Sequence, residues 1–213
     1  MKYIPKDSNR EPESVKEWKR IASQTPNYGY KYLPSTERLA LLKSLVEEQK
    51  HICCYCGMRI NDQTSHVEHL IPQSSRPDLS LDYTNLLASC GISQKFRPEY
   101  ETQLHCKEHC GQWRGNDDLP IKPIDPDCET KFHYTERGEI LPNDDRTVLN
   151  LNLNHKDLTE FRKAAIFGAK SLLEGGFSNE EIALFAKSYE RPDRDGKFRP
   201  FCFAIAYFLN SYI

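Results

Sequence analysis

No stretch of these 213 residues is long and apolar enough to span a bilayer: no hydrophobic run approaches the roughly 20 residues a crossing helix needs. The opening segment, MKYIPKDSNREPE, has no apolar stretch behind its charges and does not read as a secretory signal. A cytoplasmic location without membrane contact is therefore expected. A surplus of positive charge is missing too. Lys and Arg number 29 against 31 Asp and Glu, a formal net charge of −2, so the overall balance does not announce a nucleic-acid binder. That excludes little, because phosphate contact needs only a local basic surface. Lys95, Arg97, Arg114, Lys122 and Arg59 are placed to supply one, although a solvated surface of mixed charge is the ordinary reading of each. There is no internal repeat and no low-complexity tract, which excludes solenoids and linker-like chains. Hydrophobic residues make up 38% and charged residues 28%, the balance of a globular protein with one compact core and helical additions.

Cysteine is what the chain has in quantity. Eight of them would mean disulfides in an oxidising compartment, but in a reducing one they read as metal ligands or buried thiols. Their spacing is uneven. Cys53, Cys54 and Cys56 sit together, Cys90, Cys106 and Cys110 follow, and Cys128 and Cys202 stand apart.

Before the first cluster the chain reads as helical. Val15, Trp18, Lys19 and Ile21 suggest a short amphipathic helix opened by Ser14. Pro26, Gly29 and Pro34 punctuate a Tyr-rich loop, and Ser35 is placed to cap a second helix with a stripe of Leu39, Leu42, Leu45 and Val46. HICCYCGMRI reads as two short strand pieces around a cysteine-bearing turn, with Gly57 permitting the tight geometry. HVEHLIP is a strand, residues 72–82 a polar loop, NLLASC a second strand, and residues 109–115 a short helix. The prolines of residues 119–126 argue against regular structure. KFHYTERGEILP then makes a hairpin turning at Arg137-Gly138. The last third is helical: one helix through Phe161, Ala165, Gly168 and Leu172 to Gly175-Gly176, one opened by a Ser178/Glu181 capping box, and one through Phe201, Ile205 and Leu209. The class is α+β.

Cys53-x-x-Cys56-Gly57 carries the sharpest chemistry. Two thiolates at this spacing on a tight turn can face one tetrahedral zinc, whereas a redox pair would want the start of a helix in a thioredoxin-like unit. Cys90 and Cys110 can close a four-cysteine site, with Cys106 and His109 competing for the last place. Cys54, Cys128 and Cys202 read as buried thiols. Between the cysteine pairs lies Val67-Glu68-His69-Leu70-Ile71-Pro72. A lone histidine in an apolar strand is usually a satisfied core residue, but here a carboxylate precedes it and Asn85 follows a loop later.

The order CxxC, acidic-His-x-x-Pro, Asn, Cys and Cys resembles the HNH endonuclease family and its zinc-stabilised ββα-metal fold, over residues 53–116. The resemblance implies that His69 activates water, that Glu68 helps hold a catalytic Mg2+ or Mn2+, and that Asn85 braces the loop and orients the histidine. The family more often has Asp at position 68. Its last His or Asn falls at Gly111 here, a departure that leaves Gln112, His109 or Asn116 to substitute; Gln112 is taken as the further contact to the ion. His66 shares a strand face with Glu68 and could line the metal site or meet phosphate, a partly exposed strand histidine being at least as good a reading. These roles also make chemical sense. Histidine accepts a proton near neutral pH, a divalent ion absorbs phosphate charge, and a neighbour's carbonyl or side chain, Asn85 for one, fixes the imidazole tautomer. A zinc with four protein ligands has no open position and stays outside the reaction.

The flanks carry a narrower resemblance. MKYIPKDSNREPESVKEW, CCYCGMRI, HVEHLIPQSSRPDLSLDYTNLLASC, HCGQWRGNDDLPIKPIDPDCETKFHY and RTVLNLNLNHKDLTEFRKAA are similar to the HNH nucleases of retron and Septu anti-phage systems. That similarity, and nothing in composition or periodicity, implies a defence effector working beside an ABC-type ATPase, with the helical flanks as docking surfaces. The expected organisation is a helical segment over residues 1–50, the nuclease core over 51–118, and a loop, hairpin and helical region over 119–213. The expected substrate is nucleic acid, DNA ahead of RNA such as a tRNA. A non-catalytic zinc-stabilised adaptor for nucleic acid or protein is the competing reading; it needs the cysteines but neither Glu68 nor His69.

Overall fold

The computed structural model describes residues 1–91 and 108–213. Lys95, Arg97, His105 and Cys106 lie outside the described residues. Helix α1 (Glu13–Ala22) begins behind Pro12, whose fixed φ and missing N–H suit a helix entrance; Ser14 is already inside the first turn and caps nothing. Helix α2 (Ser35–Glu48) likewise follows Pro34, and no side-chain cap is made there. Its buried stripe centres on Leu41 and Leu45, with Leu42 and Val46 beside them. Leu39 falls at the edge of that stripe and stays 44% exposed, so the expected stripe is rotated by part of a turn.

The cysteine segment after α2 is a turn held by one antiparallel bridge, Ile52 to Arg59, rather than by two strand pieces. Its ladder is short because the thiol-bearing residues bend back at once: the Gly57 N–H donates to the Cys53 carbonyl at 3.1 Å and the Cys53 N–H to the Met58 carbonyl at 2.8 Å. Gly57 has φ +78, and a Cβ there would stand 2.5 Å from the Phe203 ring, so both backbone and space demand glycine.

Strand β1 (Ser65–His69) pairs antiparallel with β2 (Leu86–Cys90), Ser65 opposite Cys90 and His69 opposite Leu86. All five residues of β2 are buried. Gln49 at the end of α2 holds the middle of β2, donating to the Ala88 carbonyl at 2.8 Å and accepting from the Ala88 N–H at 2.6 Å. A short helix α3 (Cys110–Arg114) lies against β2, where the Gly111 N–H donates to Ser89 Oγ at 3.2 Å.

The second half matches its pattern closely. A hairpin of β3 (His133–Tyr134) and β4 (Ile140–Leu141) turns at Gly138, φ +82. Helices α4 (Arg146–Asn150), α5 (Lys156–Leu173), α6 (Asn179–Tyr189) and α7 (Cys202–Asn210) follow. The capping box of α6 is complete, with Ser178 and Glu181 bonded in both directions. Helix α7 is the most apolar of these: it packs on α5 and α6 and brings Phe203 onto Gly57. The buried apolar residues form one cluster drawn from the N-terminal segment, α2, the cysteine turn, β2, the hairpin and the C-terminal helices, with Val67 of β1 packed against it. Among the described residues the architecture is mixed helix with two small antiparallel sheets, an α+β chain, and no helix there is long and apolar enough to cross a membrane.

A four-thiol cluster and a carboxylate–histidine site on one strand pair

Four sulfurs converge where the turn, the end of β2 and the start of α3 meet. The Sγ atoms of Cys53, Cys56, Cys90 and Cys110 all lie within 4.8 Å of one another, and all four residues are buried. Zinc–sulfur bonds of about 2.3 Å in a tetrahedron set neighbouring sulfurs about 3.8 Å apart. The Cys56 and Cys90 sulfurs stand at 3.8 Å. The donor set thus fits a structural metal such as zinc, and four thiolates leave no position open. Burial alone would raise the Cys53 thiol, but hydrogen bonds from Cys110, Cys54, Cys56 and Cys90 outweigh it and hold it well below the ordinary value. Burial pushes Cys110 the other way.

Backbone positions the sulfurs. The Cys90 N–H donates to Cys53 Sγ at 3.3 Å, and Cys110 takes φ +58 at the head of α3, where its N–H donates to the Leu151 carbonyl at 2.7 Å. His109 flanks the cluster, buried, with Nδ1 3.3 Å from Cys110 Sγ and 3.8 Å from Cys90 Sγ. Of the two rivals to Cys110, His109 is thus a neighbour of the four thiols, and Cys106 lies outside the described residues. Cys54 is buried but is not one of the four; its N–H donates to the Ala88 carbonyl at 3.2 Å.

A second group of side chains gathers along the same strand pair. Alternation along β1 puts His66 and Glu68 on one face, turned toward α3. Glu68 is 7% exposed. Its Oε1 accepts from the Tyr55 hydroxyl at 2.9 Å and from Arg114 Nη1 at 2.8 Å, while its Oε2 lies 3.4 Å from His66 Nε2. Burial pushes this carboxyl up, but His66, Arg114 and Tyr55 together outweigh that and hold it below the usual range, so it is ionised at neutral pH.

Arg114 is not the surface cation its type suggests. Its side chain is fully buried and ties three pieces of chain together: it donates to Tyr55 Oη at 3.0 Å, to the His69 and Leu70 carbonyls at 3.2 and 2.7 Å, and to the Asp117 carbonyl at 2.6 Å. A signal for this was available: Arg114 follows Cys110 by four residues, so on a helix the two share a face, and a buried Cys110 turns Arg114 inward. Tyr55 carries no such signal.

His69, at the end of β1, faces the opposite side. Its Nε2 lies 3.0 Å from the Ser80 carbonyl, a geometry that puts the ring proton on Nε2 and leaves Nδ1 as the acceptor. Near Nδ1 stands the Gln73 amide at 3.4 Å, and the ring packs edge-on against Tyr30 at 4.8 Å. Burial lowers the His69 pKa, with the Ser80 hydrogen bond working against it, so the imidazole is neutral near pH 7. Asn85 makes its side-chain hydrogen bonds to the loop rather than to the ring. Its Oδ1 accepts from the Ile71 N–H at 2.8 Å, and its Nδ2 donates to the Ile71 and Leu79 carbonyls at 3.1 and 3.2 Å. It clamps both ends of the loop that delivers the Ser80 carbonyl to His69.

Gly111 abuts the carboxylate. A Cβ there would stand 2.3 Å from Glu68 Oε2 and 3.0 Å from His66 Nε2. Gln112 lies to one side, its Nε2 2.7 Å from where a Cβ on Gly91 would be. His133 pairs with Tyr207, and His155 pairs with Glu108 while its ring lies 5.9 Å from that of His109.

No protein-family profile matches the chain. It is 29% identical over 109 residues to a Vibrio cholerae (serotype O1 biovar El Tor) protein described as a candidate HNH endonuclease of retron Vc95, covering 47% of this chain and 48% of that one. It is 27% identical over 138 residues to the Septu protein PtuB of Bacillus thuringiensis, covering 61% and 46% respectively. The chain spans about half the length of the curated relatives it matches.

Proposed function

Because the chain is a homologue of HNH-type anti-phage defence proteins, we propose that it is a metal-dependent nuclease that hydrolyses phosphodiester bonds, with DNA favoured over RNA. The observation that carries the reading is the state of His69: Nε2–H is spent on the Ser80 carbonyl, Nδ1 is left as a base, and an ionised Glu68 precedes it on the strand. His69 Nδ1 takes a proton from the attacking water, and the Ser80 carbonyl stabilises the imidazolium that forms. The Asn85 clamp is the positioning element for that carbonyl. Glu68 would hold a Mg2+ or Mn2+, which when bound would supply charge neutralisation at the phosphate. Zinc on the four thiols fixes the turn, β2 and α3 relative to one another and takes no part in the reaction. In this reading residues 51–118 form the ββα-metal core, the flanks dock an ABC-type ATPase of the defence system, and the protein acts in the cytoplasm.

The test is cleavage of plasmid DNA and total RNA by the purified chain, with and without Mg2+ or Mn2+, beside His69→Ala. Metal-dependent cleavage lost in the variant supports the enzyme and identifies its substrate in the same gel. Equal cleavage by both proteins removes His69 from its role. No cleavage by either, repeated with the ATPase partner present, favours the zinc-stabilised adaptor.

A further inference from the structure

The glycine at position 111 leaves the proposed catalytic ion short of a protein ligand. We infer that His66 supplies it, together with Glu68, and that Gln112 holds the His66 ring from behind; this rests on the nuclease reading above.

Three features carry the assignment. His66 Nε2 and Glu68 Oε2 are 3.4 Å apart, and adjacent donors of an octahedral divalent ion lie about 3 Å apart, so a few tenths of an ångström separate this pair from coordination. Position 111 borders the same two atoms so closely that a Cβ would meet both. A His or Asn side chain there would collide with the carboxylate where it stands. Glycine at 111 and histidine at 66 thus belong together: the ligand has moved from the helix to the strand.

The remaining question is whether His66 is simply a counter-ion for Glu68. Arg114 already fills that place through Oε1, leaving Oε2, among the described residues, to His66. The far side of the ring points to the same conclusion. His66 Nδ1 is buried and has no hydrogen-bond partner among the described residues. It and Gln112 Nε2 flank one point, each 2.7 Å from an ideal Cβ on Gly91. A metal-bound imidazole donates its other N–H to a fixed acceptor. Rotation of the Gln112 amide presents its oxygen for that bond, which makes Gln112 a positioning residue one step behind the ion.

The experiment titrates Mn2+ into the zinc-loaded full chain, reading affinity from the electron paramagnetic resonance of free Mn2+ and ligand identity from nitrogen modulation of the bound ion. The wild type is expected to bind one Mn2+ with nitrogen coupling. His66→Gln should lose that coupling and bind at least about tenfold more weakly, with zinc content and melting temperature unchanged; Gln112→Leu should keep the coupling and weaken binding roughly tenfold. Nitrogen coupling that persists in His66→Gln overturns the assignment of His66, and unchanged affinity in Gln112→Leu removes Gln112 from its part. Glu68→Gln separates the two levels. If it abolishes Mn2+ binding while His66→Gln binds Mn2+ with wild-type affinity and nitrogen coupling, this inference fails and the nuclease reading stands. If the wild type binds no Mn2+, or Glu68→Gln binds as well as wild type, both fail together.

Discussion

One strand pair carries two groups of donors, and they are opposite in kind. At the Cys90 end of β2, four soft thiols are buried within 4.8 Å of one another, fully enclosed. Along the facing β1, the Glu68 carboxylate and the His66 imidazole present hard or borderline donors on one face, 3.4 Å apart, and His66 is partly exposed. The first set saturates a tetrahedral ion; the second cannot complete an octahedral one without water or substrate. Softness and saturation therefore suit the closed set to a structural metal such as zinc, and the division of labour proposed above gives the open set to an ion that meets phosphate.

The largest effect should come from the closed site. Structural zinc in small sites contributes on the order of 10–16 kcal/mol of apparent binding energy, and that energy is folding energy. Cys56→Ser is expected to lose bound zinc and to lower the melting temperature by roughly 10–20 °C, about 5 kcal/mol or more in a chain of this size. Zinc content by mass spectrometry and thermal melting check it. A variant that melts like wild type would place the sulfurs' cohesion in packing alone.

His69→Ala sharpens the contrast from the other side. Loss of a positioned general base costs roughly 10²–10⁴ in rate, while zinc content and melting should stay near wild-type values, because the ring's one close hydrogen bond is to a single loop carbonyl, that of Ser80. A zinc-loaded variant with full cleavage would dissolve the division of labour.

How much of this was legible in the sequence depends on whether a side chain's partner is local. Cys53 and Cys56 are three residues apart on a turn with a glycine, so their meeting follows from spacing; Cys90 and Cys110 were reachable because each ends or opens an element. The capping box at Ser178 and the hairpin at Gly138 are local as well, and both formed as expected. Ser14 and Ser35 were not caps, because a proline just ahead of each had already set the backbone for helix entry. Arg114 was the costly omission. Apart from the Asp117 carbonyl its partners are Tyr55, Glu68 and two carbonyls, all distant in sequence, and a cation beside a nuclease motif invites a surface reading. Ser80 was hidden for the same reason: a carbonyl has no sequence signature, and only the fold aims it at His69.

Arg114 links the two regions, since α3 begins at a thiol ligand and ends at the Glu68 carboxylate. Arg114→Met leaves Glu68 buried beside Tyr55 without its cation, a loss of about 3–5 kcal/mol. Melting of the single variant, of Glu68→Gln and of the double variant checks this; the double should cost less than the sum, because it removes both charges. Strict additivity would mean the ion pair contributes nothing and that the two ends of α3 are independent.

The smallest effect is expected at Asn85, and it is the most selective. Asn85 makes three hydrogen bonds to the loop over residues 71–79 and none to His69. Asn85→Ala should cost about 1–3 kcal/mol of stability. Its effect on cleavage should be larger than that cost implies, because the loop carries the Ser80 carbonyl, and displacement of a base by an ångström can cost about a hundredfold. The expected signature is kcat reduced roughly 10- to 100-fold with KM, zinc content and Mn2+ affinity near wild type. A merely structural role would lower the folded fraction and leave kcat per folded molecule untouched. A fall in Mn2+ affinity would instead tie the loop to Glu68, joining what the opposite faces of β1 keep apart.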